Sequence, residues 1–181
     1  MCRAARPGPR GCWRAFWSWK RRSPNGADSG SSEMLKDEIS KALAPLKLER
    51  VEPGDYDKTG YHLEVDAAPE QMPEVAQALK STGCFLDSLT ALDFPEAFHV
   101  VYHFSSFREL CRTAVKAKVP KGKAAVTICR VYPGANWYER EVYDLFGLKF
   151  TGHPDLRRIL LPFDADFHPL RKVFETEKAD A

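Results

Sequence analysis

From Met34 onward, apolar and polar positions alternate in patterns that name the elements. Leu35, Ile39, Leu43 and Leu46 recur at helical spacing, and Pro45 marks the end of that helix. Leu48–Val51 reads as a short strand before a turn at Pro53 and Gly54. Tyr61, Leu63 and Val65 alternate with His62, Glu64 and Asp66, the pattern of a half-buried strand. Met72, Val75, Ala76 and Leu79 form an i, i+3, i+4, i+7 stripe, and Gly83 closes that second helix. Phe85–Leu92 predicts a strand and Asp93–Glu96 a turn. Phe98, Val100, Tyr102 and Phe104 then alternate, so the two strands pair as a hairpin. Val115, Ala117 and Val119 alternate with Lys116 and Lys118, and Pro120–Lys123 turns the chain. Short turns between successive strands favour an antiparallel or mixed sheet. The predicted class is α+β in two layers, with helices on one face and an extended C-terminal tail.

Residues 133–172 differ in kind. Residues 135–146 predict a short helix, with Asn136 as N-cap, Glu139 completing a capping box, and Gly147 as the stop. A helical wheel puts Tyr138, Val142, Leu145 and Phe146 toward the sheet. Arg140, Glu141 and Asp144 fall on the opposite face, with Arg140 and Asp144 at i, i+4. Such a face reads first as solvated or partner-facing. Acid–base chemistry from Glu139, Glu141 and Asp144 is the competing reading, but Glu139 and Glu141 point about 200° apart and cannot face one substrate together.

Beyond Gly147 come two His–Pro elements, His153-Pro154 and His168-Pro169, each followed by Leu and cations, with apolar Ile159–Phe163 between them. Pro keeps each His extended. A greasy, cationic, extended tail is expected to lie on a partner, with Arg157, Arg158 and Arg171 forking onto carboxylates. A metal on His153 and His168 is disfavoured, because a fourteen-residue gap is not a ligand spacing.

Charge divides the chain. Residues 1–33 hold seven Lys or Arg and two acids, whereas residues 34–181 hold 20 basic and 23 acidic groups. The body is therefore mildly acidic, which speaks against nucleic-acid binding. Residues 1–33 read as a basic, aromatic, disordered extension, with Met34 as an alternative start. Domain limits follow as 1–33, 34–150 and a partner-binding tail over 151–181. Trp13–Trp19 followed by Lys20–Arg22 could touch anionic lipid or single-stranded nucleic acid. No apolar run approaches the ~20 residues of a membrane span. Cys2, Cys12, Cys84, Cys111 and Cys129 include no CxxC, so neither a zinc site nor a cluster is expected. Cys84, Cys111 and Cys129 read as buried small hydrophobes.

The runs ANWYEREVYDLFGLKF (135–150), GHPDLRRILL (152–161) and HPLRK (168–172) together resemble the C subunit of the proton-pumping NADH–quinone oxidoreductase, respiratory complex I. The resemblance implies a peripheral-arm protein without a redox group of its own. FMN and iron–sulfur clusters would sit in partner subunits. The chain would pack on the large D subunit near the cluster-bearing subunits, on the cytoplasmic side of the inner membrane, supporting electron transfer from NADH to quinone. Carried over position by position, Glu139, Arg140, Glu141, Asp144, His153, Pro154, Arg157, Arg158, His168, Pro169 and Arg171 would fix the tail and the intersubunit contacts. An equivalent subunit of a membrane-bound energy-converting hydrogenase, or of a ferredoxin-fed complex, is the alternative.

Overall fold

A computed structural model describes residues 29–172 of the chain. Helix α1 spans Ser29–Leu43 and runs on into a 3-10 turn over Ala44–Leu46, where Pro45 ends the α-helical ladder. It begins before the expected start at Met34, because a polar first turn leaves no apolar periodicity to read. The rest of the expected extension lies outside the described residues. Leu35, Ile39 and Leu43 are buried as the stripe predicts. Strand β1 (Arg50–Pro53) is exposed throughout. A one-turn helix, α2 (Tyr56–Thr59), precedes β2 (Leu63–Ala67) and was not legible in so short a segment. His62 departs from the alternation: it is buried, its ring stacks on Tyr56, and its Nδ1 accepts the Arg112 N–H at 3.1 Å.

Helix α3 (Met72–Ser81) buries all four predicted stripe residues, and Gly83 beyond it takes φ +80°. Strands β3 (Cys84–Asp93) and β4 (Ala97–Ser106) form the expected hairpin, and β5 (Arg112–Pro120) follows. The sheet order is β1-β2-β5-β4-β3. Only β2 and β5 run parallel, so the sheet is mixed. Phe98, Val100, Tyr102 and Phe104 of β4, with Val115, Ala117 and Val119 of β5, face the core that α1 and α3 close. Cys84, Cys111 and Cys129 are buried free thiols.

Helix α4 (Ala135–Phe146) lies against β3. The register of β3 slips between Leu86 and Ser88, and the Asp87 carbonyl at that slip accepts the Tyr138 hydroxyl at 2.9 Å. Strands β6 (Ala125–Val126) and β7 (Phe150–Thr151) form a small parallel pair that returns the chain from α4.

Candidate functional site

The sequence singled out α4 and the chain after it, and the structure joins the two. A helix leaves its last four carbonyls without internal donors. In α4 each of them finds one. Gly147 N–H donates to Tyr143 O at 2.8 Å. Asp144 O accepts His168 Nδ1–H at 2.9 Å and Arg158 Nη1–H at 3.2 Å. Leu170 N–H donates to Leu145 O at 3.1 Å, and Arg171 Nε–H to Phe146 O at 2.6 Å. The tail is the C-cap of α4, and Arg158 and Arg171 bring positive charge to the negative end of the helix dipole. Pro169 holds His168 and Leu170 in place between these contacts. Gly147 has φ +70°, and a Cβ there would meet Arg171 Nη2 at 2.4 Å and His168 Nε2 at 2.6 Å. The positive φ and these neighbours together disfavour a side chain at Gly147.

Asp144 anchors the other half of this latch and is 0% exposed. Its Oδ2 accepts three successive amides, Ile159 (3.0 Å), Leu160 (2.7 Å) and Leu161 (3.0 Å). Its Oδ1 accepts Arg158 Nη1–H at 2.7 Å. Burial alone would raise its pKa. The amides and Arg158 outweigh burial and hold the carboxyl down at about 2. Arg158 also donates from Nη2 to Ala165 O at 2.7 Å and Phe167 O at 3.2 Å. At the far end, the Lys172 N–H reaches Asp93 Oδ2 at 3.0 Å, and Lys121 forms an ion pair with the same carboxylate.

Several expectations are corrected here. Asn136 does not cap α4: Gly134 occupies that position with no side-chain bond, so no capping box forms. Glu139 instead turns inward and is 0% exposed. Its Oε2 accepts Thr127 Oγ1–H at 2.6 Å and its Oε1 accepts Ile128 N–H at 2.9 Å, which ties α4 to the loop after β6. The charged face is not a solvated one, because the tail covers it. Arg140 and Asp144 do not pair as i, i+4: Asp144 binds Arg158, and Arg140 donates from Nε to Arg157 O at 3.2 Å. The tail has many contacts of its own, so its order does not wait on a partner.

The remaining motif residues sit outside the latch. Glu141 is half-buried and Pro154 exposed. Arg157 is 72% exposed and pairs with Asp155 at 2.9 Å. Glu139 and Glu141 are not brought together. Thr127 and Asp93 carry weight that local sequence did not reveal, since their partners lie 12 and 79 residues away.

One donor set could be read as a metal site. Single ligand atoms of Cys129, Glu139 and His153 lie within 4.8 Å of one another, a set that does not include His168. In this arrangement hydrogen bonds already engage the three side chains. Asp155 N–H donates to His153 Nδ1 at 3.1 Å, so Nε2 carries the proton and donates it to Asn136 O at 3.3 Å. The Cys129 thiol donates to Glu139 Oε2 at 3.4 Å, and burial pushes it up to about 11. Burial also raises the pKa of Glu139, which its hydrogen bonds offset only in part. Hydrogen bonds to Thr127, Ile128, Asn136 and Asp155 hold these three side chains and fix the loop to the helix. The Tyr102 hydroxyl is buried nearby, without a hydrogen-bond partner among the described residues. Burial, then the charges of Glu139 and Cys129, oppose its ionisation.

Comparison with known proteins sets this arrangement in a family. The family described as the 30 kDa subunit of respiratory-chain NADH dehydrogenase matches residues 65–180. A protein of Jannaschia sp. named as the C subunit of NADH-quinone oxidoreductase is 41% identical over 152 residues, covering 80% of this chain and 72% of its own. The Ruegeria pomeroyi protein of that name is 42% identical over 128 residues, 67% of this chain and 64% of its own. The mitochondrial NADH-ubiquinone oxidoreductase 30.4 kDa subunit of Neurospora crassa is 51% identical over 92 residues, 49% of this chain and 32% of its own. The chain thus spans a little under two thirds of the Ruegeria relative. A chain in the structure of an archaeal respiratory membrane complex, the membrane-bound sulfane sulfur reductase, has the same fold. Its TM-score is 0.66 at 21% identity, over 81% of this chain and 91% of that one. With most of its length matched by one family model, the chain belongs to the family of the 30 kDa subunit of respiratory-chain NADH dehydrogenase, the C-subunit family of NADH–quinone oxidoreductase.

Proposed function

We propose that the chain is a non-catalytic, peripheral-arm subunit of a proton-translocating NADH–quinone oxidoreductase. It packs against the large D subunit and near the cluster-bearing subunits, and supports electron transfer from NADH to quinone without a redox group of its own. FMN and iron–sulfur clusters belong to partner subunits, and the chain lies peripherally on the cytoplasmic side of the inner membrane. In support, no described helix is long and apolar enough to cross a membrane.

The observation that carries the reading is the use made of the motif residues. Asp144, Arg158, His168 and Arg171 hold the latch closed, and Glu139 ties its helix to the loop after β6. Beside that latch the apolar side chains of Trp137, Leu160, Phe163 and Leu170 stand exposed. Exposed apolar side chains next to a hydrogen-bonded charge network suit docking better than turnover. The same place in an energy-converting hydrogenase or a ferredoxin-fed complex is the alternative. Relatives at 41–45% identity that bear the name NADH-quinone oxidoreductase favour the first.

The test is purification of an affinity-tagged chain from its own cells under mild detergent. It should bring down an assembly that contains flavin and iron and reduces quinone with NADH, while the chain purified alone is colourless. Recovery of the chain by itself, recovery with a nickel-bearing large subunit, or stoichiometric flavin or iron in the isolated chain would overturn the proposal.

A further inference from the structure

Arg140 is a buried cation without a carboxylate. It is 7% exposed, yet among the described residues no acidic group lies in ion-pair range of it. Its Nε and Nη2 donate to Arg157 O at 3.2 Å and Arg158 O at 3.5 Å, and its guanidinium stands 5.0 Å from the centre of the Trp137 ring. Its Nη1 donates to nothing among the described residues. The neighbouring arginines are already matched, Arg157 by Asp155 and Arg158 by Asp144. Arg140 therefore keeps a buried charge with no carboxylate beside it, and burying an uncompensated charge is costly.

Arg140 lines an open cleft of about 610 Å³ between α4 and the tail. The other walls combine Tyr143 and the paired Arg157 and Arg158 with apolar Trp137, Ile159 and Phe163. Trp137 is 62% and Phe163 94% exposed at its rim. A guanidinium in such a cleft asks for a planar anion, which its fork can hold by paired hydrogen bonds. The walls ask for an apolar group beside that anion.

We propose that this cleft receives an extended segment of a partner protein in the complex, whose Asp or Glu side chain pairs with Arg140 while an adjacent apolar side chain fills the space between Trp137 and Phe163. The inference rests on the reading of the chain as a member of a multi-subunit complex and goes beyond it in naming the contact and its chemistry. Charge complementarity selects the occupant: Arg140 is buried with no carboxylate in reach among the described residues, and a single acidic side chain matches it.

The experiment places the photoreactive residue p-benzoylphenylalanine at position 163 of the tagged chain, irradiates the purified complex, and identifies the crosslinked peptide by mass spectrometry. The expected product is a partner peptide with Asp or Glu next to an apolar residue. In parallel, Arg140→Gln and Arg140→Lys are compared for incorporation into the complex. Both disturb the contacts to the Arg157 and Arg158 carbonyls, but only Arg140→Gln removes the charge. Arg140→Gln should lower the incorporated fraction by about tenfold, and Arg140→Lys by no more than about threefold. Crosslinks confined to lipid, to residues 173–181 of this chain, or to a partner peptide without an acidic residue would overturn the inference. So would equal incorporation of the two variants. In each of these cases the chain is still recovered in the complex and the proposed function stands, whereas a chain that joins no complex removes both.

Discussion

Replacing Asp144 by Asn keeps the shape of the side chain and removes its charge. The wild-type carboxylate is fully buried and accepts three amides and the Arg158 guanidinium. Its pKa of about 2 lies below the roughly 3.9 of an unfolded Asp, which corresponds to about 2 kcal/mol of stability at neutral pH. Asn adds a second penalty. Its NH2 must face either the amides of residues 159–161 or Arg158, so two donors meet, at a cost of about 1–3 kcal/mol. The total of about 3–5 kcal/mol matches the usual effect of removing one partner from a buried ion pair. In a domain of this size that lowers Tm by roughly 10 °C. The assay is urea melting of both proteins from pH 7 down to pH 2. The folded pKa of Asp144 is depressed, so its contribution is complete above about pH 4 and is lost as pH falls toward 2. The gap between wild type and Asp144→Asn should therefore be constant near neutrality and close at the acid end. A variant that melts within about 0.5 kcal/mol of wild type at pH 7 would refute the argument, as would a gap that widens in acid.

Gly147→Ala should cost about 1–3 kcal/mol, because its φ of +70° is strained for Ala and the new Cβ displaces His168 and Arg171; urea melting reads it directly. Glu139→Gln should change stability by less than about 1 kcal/mol at neutral pH, since burial already disfavours the charged form. The folded pKa of Glu139 is raised, so wild type should gain on the Gln variant as pH falls below it, the opposite slope to Asp144. Added Zn²⁺ should leave the Tm of the free chain unchanged, because the His153 tautomer and the Cys129 thiol offer no ready ligands; a saturable rise in Tm would show that Cys129, Glu139 and His153 bind metal. Truncation after Gly152 should destabilise the free domain itself, because it uncaps the carbonyls of Asp144, Leu145 and Phe146 and strips the Asp144 carboxylate of its donors. A truncated domain that melts like wild type would show that α4 does not need this cap.

Legibility in the sequence divides along contact distance. The stripe of Met72, Val75, Ala76 and Leu79 and the alternation of Phe98, Val100, Tyr102 and Phe104 were legible because each element faces a single core, and periodicity reports that face. Helix α4 misled for the opposite reason. It has two covered faces, one on β3 and one under the tail, and the second is lined with charges that periodicity assigns to water. What covers them lies 14–25 residues further along the chain, in an extended segment with no period of its own. The signals that could have exposed the latch were Gly147 as a helix stop and the two His–Pro elements. Each marks a place where backbone groups need partners from elsewhere. Glu139 was misplaced because its spacing from Asn136 fits a capping box, while its actual partners, Thr127 and Ile128, precede the helix.

The central claim is that residues 135–172 form a self-held latch, an independently ordered surface that a complex then uses. Hydrogen exchange of the free chain, read by mass spectrometry across residues 159–161 and 170, tests it most directly. The amides of Ile159, Leu160 and Leu161 on Asp144, and that of Leu170 on Leu145 O, should be strongly protected before any partner is present. Asp144→Asn should release the first three. Exchange at the rate of an unstructured peptide in the free chain, with protection only after assembly, would contradict the account and return the ordering of the tail to its partner.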